Sequence, residues 1–516
     1  MFDSVHNLIS AVLAVVVILS SISAYRHRRR NPHALPYPPG PSPHFLVGNF
    51  FDIPKKRPYI EYAKWSKRYN SDIVSFHVPG FHTVIVNSAK VAKDLFEKRS
   101  AIYSDRPSME MTNLMGFEFS TGLMPYSDSW RAHRRMIHQM FRPDALPSYE
   151  PLQRDTVKSL LQRILQNPND VVNEVKHYAG YFPIKLAYGR DSVDPMGDRY
   201  IRVAEEAMEM VGDMLFPGAI LLNAFPTLKH LPKWLPGIYG FKTFAEKCHL
   251  LTDEIKNSLF DAVKLDIATP SSLTTDYLHK LDIEERKAQW DEKTVKEVMA
   301  NIHLGAADTS MAAMQGAILA LLLNPAAQTR AQAELDKVIG RDRLPDFSDR
   351  PHLPFVNAIC REVLRLNPVL PLALAHAALR DDVYGGWFIP KGSFSQTVYR
   401  AILHDPEVYP EPERFRPERF ITPEGTLSDD DIISVFGFGR RICPGRHFAA
   451  DALFLVVASI LSTFDLIKAK DEDGNEIEVG GEYVDAGIWY VHHPVPFVCV
   501  ARPRDERAET LLRATG

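Results

Sequence analysis

Cysteine is scarce in this chain: four residues in 516, at positions 248, 360, 443 and 499, with no CxxC pair among them. That scarcity excludes a disulfide-rich secreted scaffold, a zinc site built on paired cysteines and a dithiol redox motif. No GxGxxG run occurs, and there is no flavin, dinucleotide or iron–sulfur signature, so any electrons the chain consumes come from another protein. Low-complexity segments, internal repeats and long runs of like charge are also absent. The net charge of −4, from 60 basic and 64 acidic residues, leaves no electrostatic footprint for nucleic acid.

One long hydrophobic run is present. Leu8–Ala24 is 17 residues without a charge, about 26 Å as a helix and close to the thin hydrocarbon core of the endoplasmic reticulum. The basic stretch RHRRR, Arg26–Arg30, follows it, and no Lys or Arg precedes it. The positive-inside rule then predicts a single-pass transmembrane helix in that membrane, with the rest of the chain facing the cytosol. A cleaved signal peptide is the alternative, since Ser21 and Ser23 are small, but the basic n-region it needs is missing. LPYPPGPSP, Leu35–Pro43, reads as a semi-rigid spacer. The expected division is an anchor with its basic flank over 1–30, a proline-rich hinge over 31–45 and one large domain over 46–516.

Among the cysteines, Cys443 alone has an informative context, FGFGRRICPG at Phe436–Gly445. A thiol ligates metal as thiolate, and the free N–H groups and positive dipole of a helix start favour that anion. Cys443 falls where an apolar helix is expected to begin. Gly439 and Gly445 let the backbone approach a flat ligand, and Pro444 suits a first helical turn. Cys248, Cys360 and Cys499 read as small buried apolar residues, the alternative reading for Cys443 as well. The pattern FxxGxRxCxG, at Phe436, Gly439, Arg441, Cys443 and Gly445, resembles the haem-binding signature of the cytochrome P450 monooxygenases. An axial thiolate pushes electron density onto haem iron and favours O–O cleavage.

The resemblance, extending over Pro36–Pro503, implies a mainly α fold with a small β-rich part, built around haem b with Cys443 on its iron. Helical patterns around 148–188, 197–214, 241–263, 292–323, 325–338 and 355–366, and β-like runs around 72–86, agree with that fold. Trp130 and Arg134, four apart on one helical face, match the family's WxxxR and would bind the haem propionates. Arg441 and His376 are further propionate candidates, His376 being equally readable as a structural histidine. GAADTS, Gly305–Ser310, interrupts a long apolar helix with two mediocre helix formers, so a bend is expected there. The resemblance makes Thr309 and Asp308 the catalytic pair that manages protons during oxygen activation. Ala306 stands where the family usually has a second glycine, which implies a slightly tighter oxygen groove. Glu362 and Arg365 form ExxR, with Arg419 of Pro417–Phe420 as the implied third partner. Thr397, Val398 and Tyr399 depart from the family's Asn-x-Trp, a change that bears on packing behind the haem.

Arg131, Arg135, His138 and Arg142 fall at i, i+4, i+7 and i+11 on the Trp130 helix, although Pro143 puts Arg142 at its end. This stripe is either a dock for an acidic NADPH-cytochrome P450 reductase or an ordinary solvated face. Met109–Met124 and Met208–Gly218 are rich in adaptable methionine and would line an apolar pocket or fill the core. The FPxLKxLPxWxPG layout at Phe225–Gly237 is similar to fungal microsomal members of secondary metabolism, implying a terpenoid, polyketide or small aromatic substrate. The expected activity is insertion of one atom of O2 into an apolar small molecule. A haem-thiolate isomerase or dehydratase working without reductase is the alternative enzyme, which the intact Asp308 and Thr309 argue against. A non-catalytic haem sensor is the alternative outside enzymes.

Overall fold

A 32-residue helix, Glu292–Leu323, runs through the middle of the protein. The computed structural model describes residues 29–45, 47–78, 80–190, 195–214, 217–235, 238–265, 271–283, 290–484 and 491–514. The Leu8–Ala24 run lies outside these described residues. The Asp291 side chain caps the central helix by accepting from the Thr294 N–H at 2.8 Å. Apolar residues occur all round it, as they must where a helix has neighbours on every side. Its neighbours include Asp128–Phe141, Val171–Tyr188, Ile238–Leu265, Leu273–Ile283, Pro354–Leu366 and Arg446–Thr463. Glu292–Leu323 and Arg446–Thr463 are long and apolar enough to cross a membrane, yet half and two-thirds of their apolar windows are buried in the protein.

The expected pattern over 148–188 resolves into two helices, Glu150–Gln166 and Val171–Tyr188. Pro168 in the connection supplies no N–H to continue the first. The β part is small. Strands β1 (Ile73–Val78) and β2 (Phe81–Val86) pair antiparallel. Later come β3 (His376–Ala377), β4 (Asp382–Tyr384), β5 (Trp387–Ile389) and β6 (Phe394–Thr397). β6 lies parallel to β2 and antiparallel to β3, giving a four-stranded sheet in the order β1-β2-β6-β3. β4 and β5 form a hairpin, and β7 (Phe464–Lys468) pairs with β8 (Cys499–Pro503).

The proline-rich segment does not stand clear of the domain as a spacer. The carbonyls of Pro36, Pro38 and Pro39 accept from Phe388 N, Ser75 Oγ and Ser75 N at 2.7–2.8 Å. A Cβ at Gly40 would lie 1.8 Å from the Ser75 carbonyl oxygen, so only glycine permits this approach. Arg30 pairs with Asp381, which ties the start of the strap to the same β-rich part. Proline gives up its donor but keeps its carbonyl, and the strand edge uses those acceptors.

Candidate active site

The Cys443 loop is shaped by the turns that precede it. Gly437 and Gly439 have φ values of 99° and 57°, and the Cys443 N–H donates to the Phe436 carbonyl at 2.7 Å, closing the loop on itself. At Gly439 a Cβ would sit 1.9 Å from the carbonyl oxygen of Phe96. The glycine is therefore required by a neighbouring backbone rather than by a flat ligand. Gly445 has an ordinary φ of −89°, and a Cβ there would meet nothing within 4 Å, so open space borders that position. The following helix begins at Arg446 with Gly445 as its N-cap. Cys443 and Pro444 thus precede the helix, and Pro444 is not in its first turn. Burial raises the Cys443 thiol pKa, while the Gly445 N–H, Arg134 and Arg446 draw it down. Burial wins, and a bound metal ion is the agent that removes such a proton.

Beside this loop the protein concentrates positive charge. Arg441 is buried and spends its fork on three backbone carbonyls, Ser104 at 2.8 Å, Thr121 at 3.2 Å and Met124 at 2.9 Å. Its guanidinium lies 4.1 Å from the centre of the Trp130 ring. Arg106 is buried too, bound to the carbonyls of Gly122, Leu374 and Ala375 at 2.7–2.8 Å. Burial first, then repulsion from Arg106, pushes the Arg441 pKa down to about 9, with Arg134 adding to the repulsion. Burial takes Arg106 to about 10. Arg134 is lowered by burial and by Arg446, while Cys443 acts in the opposite sense. Among the described residues none of these three arginines has a carboxylate in ion-pair contact. Asp105 acts on both Arg441 and Arg106 from beyond ion-pair contact, so three buried or half-buried cations share one nearby acid and the cluster keeps an excess of positive charge that suits anionic groups.

Trp130 and His376 sit in the same place with their N–H groups already used. The Trp130 indole donates to the Thr121 carbonyl at 3.2 Å. His376, packed 4.4 Å from Phe96, makes a 2.6 Å hydrogen bond between Nδ1 and the Tyr103 carbonyl. Only a protonated Nδ1 can make it. Burial and the nearby Arg106 hold the ring well on the neutral side, so Nε2 carries a lone pair and cannot donate to a carboxylate. His376 is thereby placed as a buried wall of the cluster.

The helix is continuous from Glu292 to Leu323, with no break at Gly305–Ser310. The Thr309 hydroxyl donates back to the Gly305 carbonyl at 2.7 Å, satisfying the side chain without breaking the ladder. This turn is half-exposed although its helix is largely buried, and Gly305 faces open space. Asp308 reaches a residue that sequence reading missed, His493, at 2.8 Å. Glu362 and Arg365 are both fully buried and meet bidentately at 2.6 and 3.0 Å. Arg419 joins Glu362 at 3.1 Å, and the Arg416 N–H adds a fourth donor at 2.8 Å.

A half-buried thiol in a closed loop, a neighbouring arginine cluster with an excess of positive charge and a half-open polar turn on the central helix together fit a flat dianionic metal macrocycle. The cytochrome P450 family model matches residues 38–483. This chain belongs to the cytochrome P450 family. It is similar to cytochrome P450 monooxygenase 98 of Postia placenta, 36% identical over 97% of this chain and 96% of the relative. It is 37% identical to cytochrome P450 monooxygenase ple1 of Rhodocybe pseudopiperita, over 98% and 96% of the two chains. With cytochrome P450 monooxygenase COX1 of Coprinopsis cinerea the identity is 34%, over 99% of each. The chain is a P450 monooxygenase, and the P450 family implies haem iron, O2 and a redox partner.

Seen as a P450, its departures have visible consequences. Tyr399, in place of the usual tryptophan, is buried against Phe438 at 6.2 Å, and its hydroxyl lies 3.4 Å from where a Cβ at Gly437 would stand. It therefore packs behind the Cys443 loop. Arg106 escaped notice because SDRPS, Ser104–Ser108, carries no spacing signal; its role exists only where three distant carbonyls converge. The two methionine-rich segments meet in one apolar cluster with Ala300 and Leu304 of the central helix. Met111, Met115 and Met214 are fully buried there. On the Trp130 helix Arg135 and His138 are exposed, Arg142 is the C-cap, and Arg131 pairs with Asp128 and lies over Tyr126.

Proposed function

We propose that this P450 is an endoplasmic-reticulum enzyme, anchored by Leu8–Ala24 with its catalytic domain in the cytosol. It inserts one atom of O2 into an apolar small molecule of fungal secondary metabolism, a terpenoid, polyketide or aromatic compound. An NADPH-cytochrome P450 reductase supplies its electrons. The observation that carries the reading is the Cys443 loop set against arginines that outnumber the one acid, Asp105, acting on them. Haem b held there, with Cys443 as the iron ligand, supplies oxygen activation driven by electron donation from sulfur. Arg134, Arg441 and Arg106 hold the propionates, Trp130 supports Arg441 through its ring face, and His376 closes the wall. Phe436 and Gly439 set the course of the loop, and Gly445 leaves open space beside it for the cofactor. Thr309 Oγ1 and the Asp308 carboxylate hold and pass the protons that oxygen activation consumes, from a turn whose half-exposure leaves room above it. Met208, half-buried beside Leu304 and Met311 at the cavity next to Asp308, lies on the substrate side, and the buried methionine cluster behind it is a backing whose shape adapts at little cost.

The purified protein, reduced and exposed to carbon monoxide, is expected to show a strongly red-shifted Soret band that Cys443→Ser abolishes. Bound haem without that band in the wild type would overturn the ligand assignment. Product formed only with reductase and NADPH separates monooxygenation from isomerisation or dehydration, and its absence with every substrate would favour the sensor. The reductase dock is the exposed basic face formed by Arg135, His138 and Arg142, continued by Arg440 at the Cys443 loop. Arg135→Glu is expected to slow reductase-driven reduction about tenfold at low salt, with less effect at high salt and no change in substrate affinity. Stopped-flow reduction across ionic strengths checks this, and equal rates would return the stripe to a solvated face.

A further inference from the structure

Asp308 and His493 are 185 positions apart, yet His493 Nε2 and Asp308 Oδ1 lie 2.8 Å from one another, with the side chains 25% and 19% exposed for histidine and aspartate. His493 stands at the base of a C-terminal hairpin. Its carbonyl accepts from Val484 N at 2.8 Å, and the Val495 N–H donates to the Glu482 carbonyl at 3.0 Å. The base is pinned on two further sides. His492 N donates to the Val369 carbonyl at 2.8 Å, and the Tyr483 hydroxyl packs at Gly316, where a Cβ would come within 3.0 Å of it. The partner of Asp308 is thus delivered by an anchored base.

The other charged groups around Asp308 are engaged elsewhere. Lys176 and Glu205 line a cavity of about 10 Å³ with Asp308, Leu304, Ala307 and Met311, and they pair with each other at 3.1 Å. The adjacent His492 ring lies tilted against Tyr483 at 4.7 Å between centroids, and burial holds it neutral. Among the described residues, His493 is the side chain that hydrogen-bonds the Asp308 carboxylate. A hydrogen bond to a charged group contributes enough to select one rotamer of a carboxylate over its alternatives.

We propose that His493 is the positioning residue for Asp308: its Nε2–H holds one carboxylate oxygen and fixes the direction in which Asp308 exchanges protons. The C-terminal hairpin is thereby coupled to the oxygen-side turn of the central helix. This rests on the reading of Asp308 as a member of the proton relay.

The test uses the full-length holoenzyme with P450 reductase, NADPH and oxygen. It reads amide hydrogen exchange at Val484 and Val495, the rate of oxygen consumption and the solvent deuterium isotope effect on that rate. His493→Ala is expected to slow oxygen consumption about tenfold, the size of a lost charge-assisted hydrogen bond, and to shift the isotope effect to the value of Asp308→Ala. Combining the two substitutions costs nothing further, because both remove one interaction. His493→Gln keeps an N–H at the reach of Nε2 and restores most of the rate. An unchanged rate and isotope effect in His493→Ala would overturn the proposal even if hairpin exchange rises, since the contact would then be structural only. Multiplicative effects in the double variant would overturn it equally. If the wild type consumes no oxygen, the monooxygenase reading fails first. Exchange at the hairpin then still decides the contact: protection lost alike in His493→Ala and Asp308→Ala supports it, and unchanged protection removes it.

Discussion

Replacing Glu362 with alanine is expected to destabilise the fold by about 3–5 kcal/mol, the usual consequence of removing one partner from a buried ion pair. The carboxylate receives two bonds from Arg365, one from Arg419 and one from the Arg416 N–H, at 2.6–3.1 Å. Without it, two guanidiniums keep their positive charge with no counter-charge, and Arg365 is fully buried. Its remaining contacts, the carbonyls of Leu403 and Pro412 at 2.8 Å, satisfy N–H groups but do not neutralise it. Glu362→Gln retains acceptor geometry at one oxygen and should fall between wild type and alanine. Urea unfolding followed by circular dichroism, together with haem content, checks the order. A Glu362→Ala protein within about 1 kcal/mol of wild type would show that solvent reaches the arginines, against their burial.

Arg441→Ala should cost about 3 kcal/mol or more, because the Ser104 and Met124 carbonyls lose this donor, Thr121 keeping the Trp130 indole, and an unpaired buried acceptor costs about 1–3 kcal/mol. Relief of repulsion between Arg441 and Arg106 offsets part of this in the haem-free chain. The haem-loaded protein has no such relief, so the loss should be larger with haem bound. Arg441→Lys is expected to rescue little. One ammonium cannot span the Ser104, Thr121 and Met124 carbonyls that a planar fork meets together, nor stack on Trp130 in the same way. Denaturant midpoints with and without haem read both comparisons. A lysine variant as stable as wild type would mean that charge alone matters at this position.

These two arginine systems show how differently parts of the protein are written in its chain. Glu362 and Arg365 are legible because three positions on a helix bring side chains to one face, so their pairing is a local property. The Cys443 loop is legible for the same reason, its glycines and cysteine lying within ten residues. Even there, local reading misjudged details. Gly439 yields to the Phe96 backbone, the helix waits until Arg446, and Thr309 settles its hydroxyl on Gly305 inside an unbroken helix. The proline-rich strap reads as a semi-rigid spacer from sequence because nothing local reveals that Ser75 and Phe388 use its carbonyls.

The sequence by itself determined the spacing-borne chemistry: one thiol in a closed loop, an acid and an alcohol side by side on a long apolar helix, and an ExxR pair. The tertiary structure alone decided which distant groups complete them. Arg106 enters the cationic cluster, Tyr399 packs behind the loop, and His493 meets Asp308 only after the chain folds. The physical reason is that a helix or a tight loop fixes neighbours through backbone geometry. Charge compensation and burial depend on contacts between segments hundreds of residues apart, which no local pattern encodes.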